Sequence, residues 1–258
     1  MTYILVELWQ KRSLVFALAL NDIKLRYKNS FLGFFWSFLE PLLILTVLLF
    51  VFSYVLKSTI ESYPLYLLLG LILWYMFTRS TSMGLSSLTD NAHIIQKIHL
   101  RKEIFVISSC LTGFMMMLIE FTAFGIFLVA FSFVPPITIL FFPLLLIELF
   151  ILSVGISLLL SIANVYFRDI KFIWQVVLQA GFFLTPIIYA LDMFPSEIRN
   201  ILELNPISHI ITTSHDLVLY GNLPSVNSVL YVVIFTGSIF VLGYFIFKNK
   251  ESKIAEEL

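Results

Sequence analysis

Six stretches of the sequence are each apolar over a length that crosses a membrane, and this pattern constrains the fold more than any other feature. A crossing helix needs about 20 predominantly apolar residues. Hydrophobic residues make up 60% of the 258 residues and charged residues only 12%, whereas soluble domains average about 25% charged. The sequence therefore predicts an all-α membrane protein with six transmembrane helices, at Trp36–Leu56, Leu65–Leu85, Ile104–Phe133, Ile137–Val165, Phe172–Tyr189 and Val226–Phe247.

The lysine and arginine residues predict how these spans are oriented. Thirteen of the 16 lie before span one, in the loops after spans two and four, or in the C-terminal tail. Only Lys57 and Arg199 lie in loops on the opposite side, and Arg79 lies within span two. Because cytoplasmic loops are enriched in Lys and Arg, the sequence predicts a multi-pass protein of the inner (plasma) membrane with cytoplasmic N- and C-termini.

The chain is predicted to form one transmembrane domain over residues 1–258. Within it we predict a cytoplasmic interfacial helix at 1–35, the six-span bundle at 36–247 and a cytoplasmic tail at 248–258. The mixture of apolar and cationic residues in 1–35 is typical of a helix in the headgroup layer, with a solvated flank as the alternative. No segment resembles a phosphate-binding loop, so any ATP hydrolysis is expected in another chain. The scattered histidines supply no catalytic pair, so we predict that this chain is not an enzyme. The net charge of zero gives no indication of nucleic acid binding.

Two cytoplasmic segments are candidate contacts for a soluble partner. Residues 89–103 contain no helix breaker, and their isoleucines share one face while their cations supply charge, which predicts a short amphipathic helix; an extension of span three is the alternative. The turn at Arg168 and Asp169 either caps the flanking helices or contacts a partner. The candidate docking residues of the first segment are His93, Ile94, Ile95, Lys97, Ile98, Arg101 and Lys102.

The segment Phe182–Pro224, which begins within span five and ends before span six, is broken by four prolines into pieces shorter than a span. We predict short helices at Ser196–Leu204 and Ile207–Leu219. Helices that do not cross the membrane are tolerated at membrane depth where protein or a water-filled cavity satisfies their backbone. The pattern therefore favours re-entrant, gate-like helices, with an ordered external loop as the alternative.

Three ionisable residues, Arg79, Glu120 and Glu148, lie within predicted spans, where such groups are costly. Counting the helical rise along each span predicts that Arg79 reaches Glu148 and that Glu120 lies too near the outer surface to reach it. We favour a structural role for these groups over proton transfer. The histidines have no metal-ligand spacing, so we predict no metal site.

The stretch "NDIKLRYKNSFLGFFWSFLEPLL" resembles the start of span one in permease subunits of ABC-type polysaccharide exporters, which move O-antigen and teichoic acid chains. "NVYFRDIK", "FFLTPIIY" and "NPIS" are similar to later landmarks of that family, in the same order. The residues that match the first motif are Asp22, Lys24, Arg26, Tyr27, Ser30, Leu32, Gly33, Trp36, Leu39 and Pro41, with Ile23 in place of the usual leucine.

The resemblance implies a homodimer that works with two copies of an ABC ATPase subunit on a lipid-linked glycan within membrane lipids. ATP and Mg²⁺ would then belong to the partner, with no cofactor in this chain. The segment near His93–Lys102 would be the coupling helix, and the broken segment would supply gate helices. The cations would steer an anionic lipid carrier, and Pro41 would let the first span turn upright. The substrate-entrance residues are Lys24, Arg26, Tyr27 and Lys28.

A sugar chain slides along flat rings because stacking tolerates changes of register, so aromatic and helix-breaking residues are candidates for the channel or gate. The alternative is that the rings are ordinary interface and lipid-facing residues. A same-fold exporter of a drug or small lipid and a membrane-embedded acyltransferase are the rival functions. The channel or gate candidates are Trp74, Tyr166, Phe182, Phe183, Pro186, Tyr189, Asn205 and Pro206.

Overall fold

The computed structural model describes residues 11–28, 30–55, 60, 62–97 and 100–257, and this part of the chain is helical with no strand. Short 3₁₀ or π segments extend or connect several of the helices, at Gly33–Phe35, Phe50–Val55, Ile137–Phe141, Leu191–Met193 and Asp216–Tyr220. The α-helices are α1 (Arg12–Arg26), α2 (Trp36–Leu49), α3 (Tyr63–Asp90), α4 (Ala92–Ile95), α5 (Glu103–Ala130), α6 (Phe142–Tyr166), α7 (Ile170–Phe183), α8 (Ser196–Leu202), α9 (Pro206–His215) and α10 (Val226–Glu257).

Helix α3 is the centre of the bundle and packs against both α5 and α6. Its first half is apolar on every side, and such a helix is stable only when it is surrounded; Leu65 to Leu73 are accordingly buried. Small residues allow α3 to approach α5 and α6 closely. A Cβ added at Gly84 would lie 2.5 Å from Cβ of Ser157 on α6, and one added at Gly113 would meet Ser80. This packing through small residues is typical of membrane helices.

Helices α6 and α10 form a second close pair, which covers one side of the bundle. A Cβ added at Gly155 would lie 2.9 Å from both Cα and N of Phe240, and one added at Gly243 would meet the carbonyl oxygen of Gly155. The two backbones are therefore in direct contact, because neither position has a side chain.

Three helical stretches of the described chain are long and apolar enough to cross a membrane: Glu103–Ala130, Ile137–Tyr166 and Val226–Glu251. They correspond to predicted spans three, four and six. Helix α3 is long enough for span two, but its second half is rich in serine and threonine and carries Arg79. Helices α2 and α7 are apolar and shorter. The count of six spans stays a prediction.

The predicted boundaries at the two ends of the chain need correction. A continuous helix over 1–35 is wrong, because α1 ends at Arg26 and Gly33, at φ 51°, begins a separate 3₁₀ turn; residues 1–10 lie outside the described part. Pro41 lies inside α2, so the chain breaks before Pro41 and not at it. At the other end, α10 continues through the predicted tail without interruption.

Candidate substrate path and partner contacts

Predicted span five is wrong at its outer end, because α7 stops at Phe183, before Pro186. Proline disfavours helical backbone in the residue before it, and residues 184–190, the break segment, are not helical. Two tyrosines at the start of α3 donate hydrogen bonds to its carbonyl oxygens. Tyr63 Oη lies 3.0 Å from Ile188 O, and Tyr66 Oη lies 2.9 Å from Tyr189 O and 3.2 Å from Pro186 O.

Asn205 joins the break segment to α9. Its Oδ1 accepts a hydrogen bond from Ile207 N at 3.1 Å, which caps α9, and its Nδ2 donates to Thr185 Oγ1 at 3.1 Å. Pro206 follows at the first helical position, where its missing N–H costs nothing. The two predicted short helices are confirmed as α8 and as α9 with its π extension; their depth in a membrane stays a prediction.

The structure brings several of the predicted channel rings together beside the break segment. The Trp74 and Phe182 rings lie 6.2 Å apart and the Phe182 and Phe183 rings 5.3 Å apart, each pair edge to face. Trp74 is buried, whereas Phe183 is 61% exposed. Trp74, Asn205 and Pro206 also line one apolar cavity of about 520 Å³.

The remaining ring candidates lie in two places. Tyr189 donates a hydrogen bond to Phe183 O at 2.8 Å, and Pro186 of the same break segment is buried. Tyr166 is at the other end of the bundle, where Lys250 Nζ lies 5.9 Å from its ring centroid. Tyr166 is therefore separate from the group around Trp74.

Helix α7 is the least covered helix of the bundle, since none of its residues is buried. Lys171, Gln175 and Gln179 follow one another at intervals of four and therefore share one face, and all three are exposed. Their side chains form no hydrogen bond within the described chain. The sequence prediction did not include Gln175 and Gln179, although two amides one turn apart in an apolar run are a visible signal. It also missed Tyr63 and Tyr66, whose hydrogen-bond acceptors lie more than 100 residues away.

The first candidate docking segment contains a short helix, α4, followed by a turn. His93 and Lys97 are exposed, Ile94 is half-buried and Ile95 is buried, so the isoleucines face the bundle; Ile98 lies outside the described residues. Two of the predicted cations contact carboxyl groups or carbonyls of this chain. Arg101 Nη1 lies 3.4 Å from Glu103 Oε1, and Lys102 Nζ donates a hydrogen bond to Glu251 O on α10.

The second turn that was predicted to be cytoplasmic presents both of its predicted residues at the surface. Arg168 and Asp169 are exposed. Asp169 occupies the N-cap position of α7, but its side chain forms no capping hydrogen bond. Asp169 therefore lies where the helix dipole favours a carboxylate, and its exposed side chain can also contact a partner, so both alternatives stay open.

The predicted entrance residues lie at the end of α1, where Lys24, Arg26 and Lys28 are exposed and Tyr27 is half-buried. The opposite face of α1 packs on α5, and Thr112 Oγ1 donates a hydrogen bond to Ala19 O at 3.3 Å. Asp22 lies at this contact. Burial raises the pKa of the Asp22 carboxyl above its ordinary value, partly offset by a hydrogen bond with Thr112.

The predicted pairing of Arg79 with Glu148 is wrong, because Arg79 forms a buried salt bridge with Glu120. Glu120 does lie farther than Arg79 from the end of the bundle where α3 ends and α5 begins, but helical side chains lean toward the N-terminus of their own helix. Since α3 and α5 run in opposite directions, these two side chains lean toward each other and close the gap. Glu148 is half-buried beside α10, and its Oε1 has no hydrogen-bond partner within the described residues.

Comparison with known proteins connects this architecture to a family. The model of the family described as "ABC-2 type transporter" matches residues 13–219, which include the cationic end of α1, the bundle core, the break segment and both short helices. The chain belongs to the ABC-2 type transporter family. The stretches that carried the resemblance at the sequence level fall within the matched region.

Relatives of the ABC-2 chain match it over nearly its whole length. The "O-antigen export system permease protein RfbA" of Klebsiella pneumoniae is 32% identical over 241 residues, which cover 92% of each protein. The protein of the same name from Myxococcus xanthus is 26% identical over 98% of each. The "Polysialic acid transport protein KpsM" of Escherichia coli is 26% identical over 91% of this chain and 92% of the relative.

Proposed function

We propose that this ABC-2 chain is the membrane subunit of an exporter that moves a lipid-linked polysaccharide, such as O-antigen or teichoic acid, out across the cytoplasmic membrane. The observation that carries the proposal is the similarity over more than nine-tenths of the chain to relatives named for O-antigen export. The exposed polar face of α7 and the exposed ring of Phe183 on the same helix support it, because a glycan needs both hydrogen-bonding groups and rings along its path. No observation favours a drug exporter or an acyltransferase.

The functional unit in this proposal is a homodimer whose two copies enclose the path. Helix α7 supports the homodimer because it has no buried residue in one copy. Exposed amides such as Gln175 and Gln179 are costly against lipid, since hydrocarbon offers them no hydrogen-bond partner. A second copy facing α7 would remove this face from lipid and leave its polar stripe along the passage.

Two copies of an ABC ATPase would bind the cytoplasmic face and hold the ATP and Mg²⁺, with no cofactor in this chain. Exposed His93 and Lys97 beside the anchored Ile95 support the α4 segment as the coupling helix, and exposed Arg168 and Asp169 support a second contact. The contacts of Arg101 and Lys102 with their own chain favour a role in holding this segment in place.

The topology in this proposal has six spans in the inner membrane, cytoplasmic termini and gate helices α8 and α9 at the outer mouth. The exposed cations at the end of α1 would attract the anionic lipid carrier to the entrance. Attraction of anionic headgroups by clusters of Lys and Arg is a general property of membrane surfaces.

Export is tested in cells that make the polysaccharide but lack this chain. Wild-type chain is expected to restore surface polysaccharide. Lys97→Glu is expected to lower the amount of ATPase that copurifies, whereas Lys28→Glu is expected to keep the ATPase and lower export. Failure of the wild-type chain to restore export, with the ATPase bound, would contradict the proposed function.

The homodimer is tested by cysteine cross-linking in membranes, which is feasible because the only native cysteine, Cys110, is buried. Val176→Cys on the uncovered face of α7 is expected to give a cross-linked dimer. Val233→Cys on α10, which is also exposed, is the matched control and is expected to remain uncross-linked. Equal cross-linking at both positions would indicate random collision and contradict the α7 interface.

A further inference from the structure

A cavity of about 520 Å³ lies at the end of the bundle where α3 begins, between the break segment, α8, α9 and the start of α10. Its volume falls in the range of small-molecule sites, roughly 300–1,000 Å³. Unlike the cavity beside Trp74, it is lined mainly by polar side chains. None of the sequence motifs and none of the proposed channel residues lies in its wall.

One face of α9 and its π extension supplies the polar side chains of this wall. His209, Thr212 and Asp216 are spaced by three and four residues, which places them on one face, and His215 lies next to that face. His209 Nδ1 is already hydrogen-bonded to Ser228 Oγ at 2.9 Å. Thr212 and His215, which also line the cavity, each carry a buried polar atom, Thr212 Oγ1 and His215 Nδ1, that has no hydrogen-bond partner within the described residues.

The chemistry of His215 Nδ1 follows from the partner of the other ring nitrogen. His215 Nε2 lies 2.9 Å from the carbonyl oxygen of Tyr66. Because a carbonyl oxygen only accepts, Nε2 carries the proton and Nδ1 of the neutral ring is an acceptor. The ring is also stacked on Tyr66 at 3.6 Å between centroids and is 2% exposed, so it is fixed in place. An unpaired buried acceptor is destabilising, and a hydroxyl donor would satisfy it.

The charges around the cavity disfavour an ionic ligand. Arg199 is held by Asp192 and Glu203, each at 2.8 Å, so no free cation is left for an anion. The acidic groups do not form a metal site either, since no cluster of three or more potential metal ligands exists among the described residues. What remains is the carboxyl group of Asp216 and a set of neutral donors and acceptors, with the exposed ring of Tyr220 at the wall. A ring compound with several hydroxyl groups fits such a set.

We propose that this cavity binds a sugar unit of the exported glycan, whose hydroxyl groups pair with Thr212 Oγ1 and His215 Nδ1. This inference rests on the proposed export function and adds a binding site that lies outside the aromatic group at Trp74. A sugar held here lies against both the break segment and α9.

Binding is tested with the full chain and its ATPase in lipid nanodiscs, by saturation-transfer difference NMR. The probe is the set of oligosaccharides that mild acid releases from the polysaccharide exported by the source cells. Thr212→Val removes the hydroxyl at nearly constant shape, and His215→Gln keeps an amide that reaches the Tyr66 carbonyl but removes Nδ1. Each is expected to lower the transfer signal at least fivefold. Thr122→Val, whose hydroxyl bonds within α5, is the matched control and is expected to leave the signal unchanged.

The same variants are compared for export in cells, which separates the two proposals. If wild-type chain exports no polysaccharide, the proposed function fails. If wild-type chain exports but gives no transfer signal, or if both cavity variants bind and export like wild type, only the cavity proposal is overturned. Tyr220→Leu, at an exposed position, is expected to weaken binding too and keeps the test decisive if His215→Gln does not fold.

Discussion

The contact between α6 and α10 makes a quantitative prediction for Gly155→Ala. The new Cβ would lie 2.9 Å from backbone atoms of Phe240, and ordinary contact begins near 3.4 Å, so the helices must separate by about 0.5 Å. Overpacking of this kind costs about 1–3 kcal/mol, because backbone atoms cannot rotate away as a side chain can. Gly→Ala also favours a helix by about 1 kcal/mol, which partly hides the cost in a single variant.

Gly237→Ala on α10 is the matched control, because its Cβ would meet no atom within 4 Å. The helix-propensity gain is common to both variants and cancels when they are compared. We therefore expect Gly155→Ala to be less stable than Gly237→Ala by about 1–3 kcal/mol, a 5- to 150-fold difference in the folding equilibrium constant. Denaturant titration in one detergent, followed by tryptophan fluorescence, measures the difference. Equal stability of the two variants would refute the inferred backbone contact.

Three further predictions concern polar groups. Arg79→Leu is expected to lower the free energy of unfolding by about 3–5 kcal/mol, because it leaves Glu120 buried and unpaired. The Arg79→Leu, Glu120→Leu double variant is expected to recover most of this loss. A double-mutant cycle that shows no coupling between the two residues would contradict the pair. Tyr66→Phe removes a hydroxyl that donates to the break segment, so it is expected to lower the free energy of unfolding by about 1–3 kcal/mol. It is also expected to speed amide hydrogen exchange in the break segment. Tyr75→Phe on the same helix is expected to change neither quantity. Since the folded pKa of Asp22 is raised, wild type is expected to lose stability relative to Asp22→Asn as pH rises above about 4; parallel pH profiles contradict this.

Periodicity and proline positions predicted local structure well, because both act within one helical turn. Pro195, Pro206 and Pro224 between spans five and six located α8 and α9, and apolar length located α5, α6 and α10. Pro186 also indicated a helix end, but the apolar residues around it favoured a continuous span. Span five was therefore predicted to extend to Tyr189, beyond the observed end of α7 at Phe183. In membrane proteins the two signals conflict wherever a helix breaks at membrane depth.

Contacts between distant parts of the chain were predicted poorly, for a definite physical reason. Counting rise along a helix axis gives the depth of a Cα atom and not that of a charged group several bonds away. Arg79 and Glu120 differ in depth at Cα and meet at their side-chain ends, because antiparallel helices direct side chains toward each other. The polar face of α9 was likewise not predicted, since its meaning depends on the cavity that other helices enclose.

The break segment shows why an interrupted helix is tolerated here and how it can respond to the substrate path. Carbonyl groups freed by the end of a helix need partners at membrane depth, and Tyr63 and Tyr66 of α3 provide them. The carbonyl of Tyr66 in turn accepts the hydrogen bond from His215, whose side chain lines the polar cavity. A movement of the break segment away from α3 would break the tyrosine hydrogen bonds. A continuous chain of contacts therefore joins the C-terminal end of α7 to the cavity through α3, the helix at the centre of the bundle.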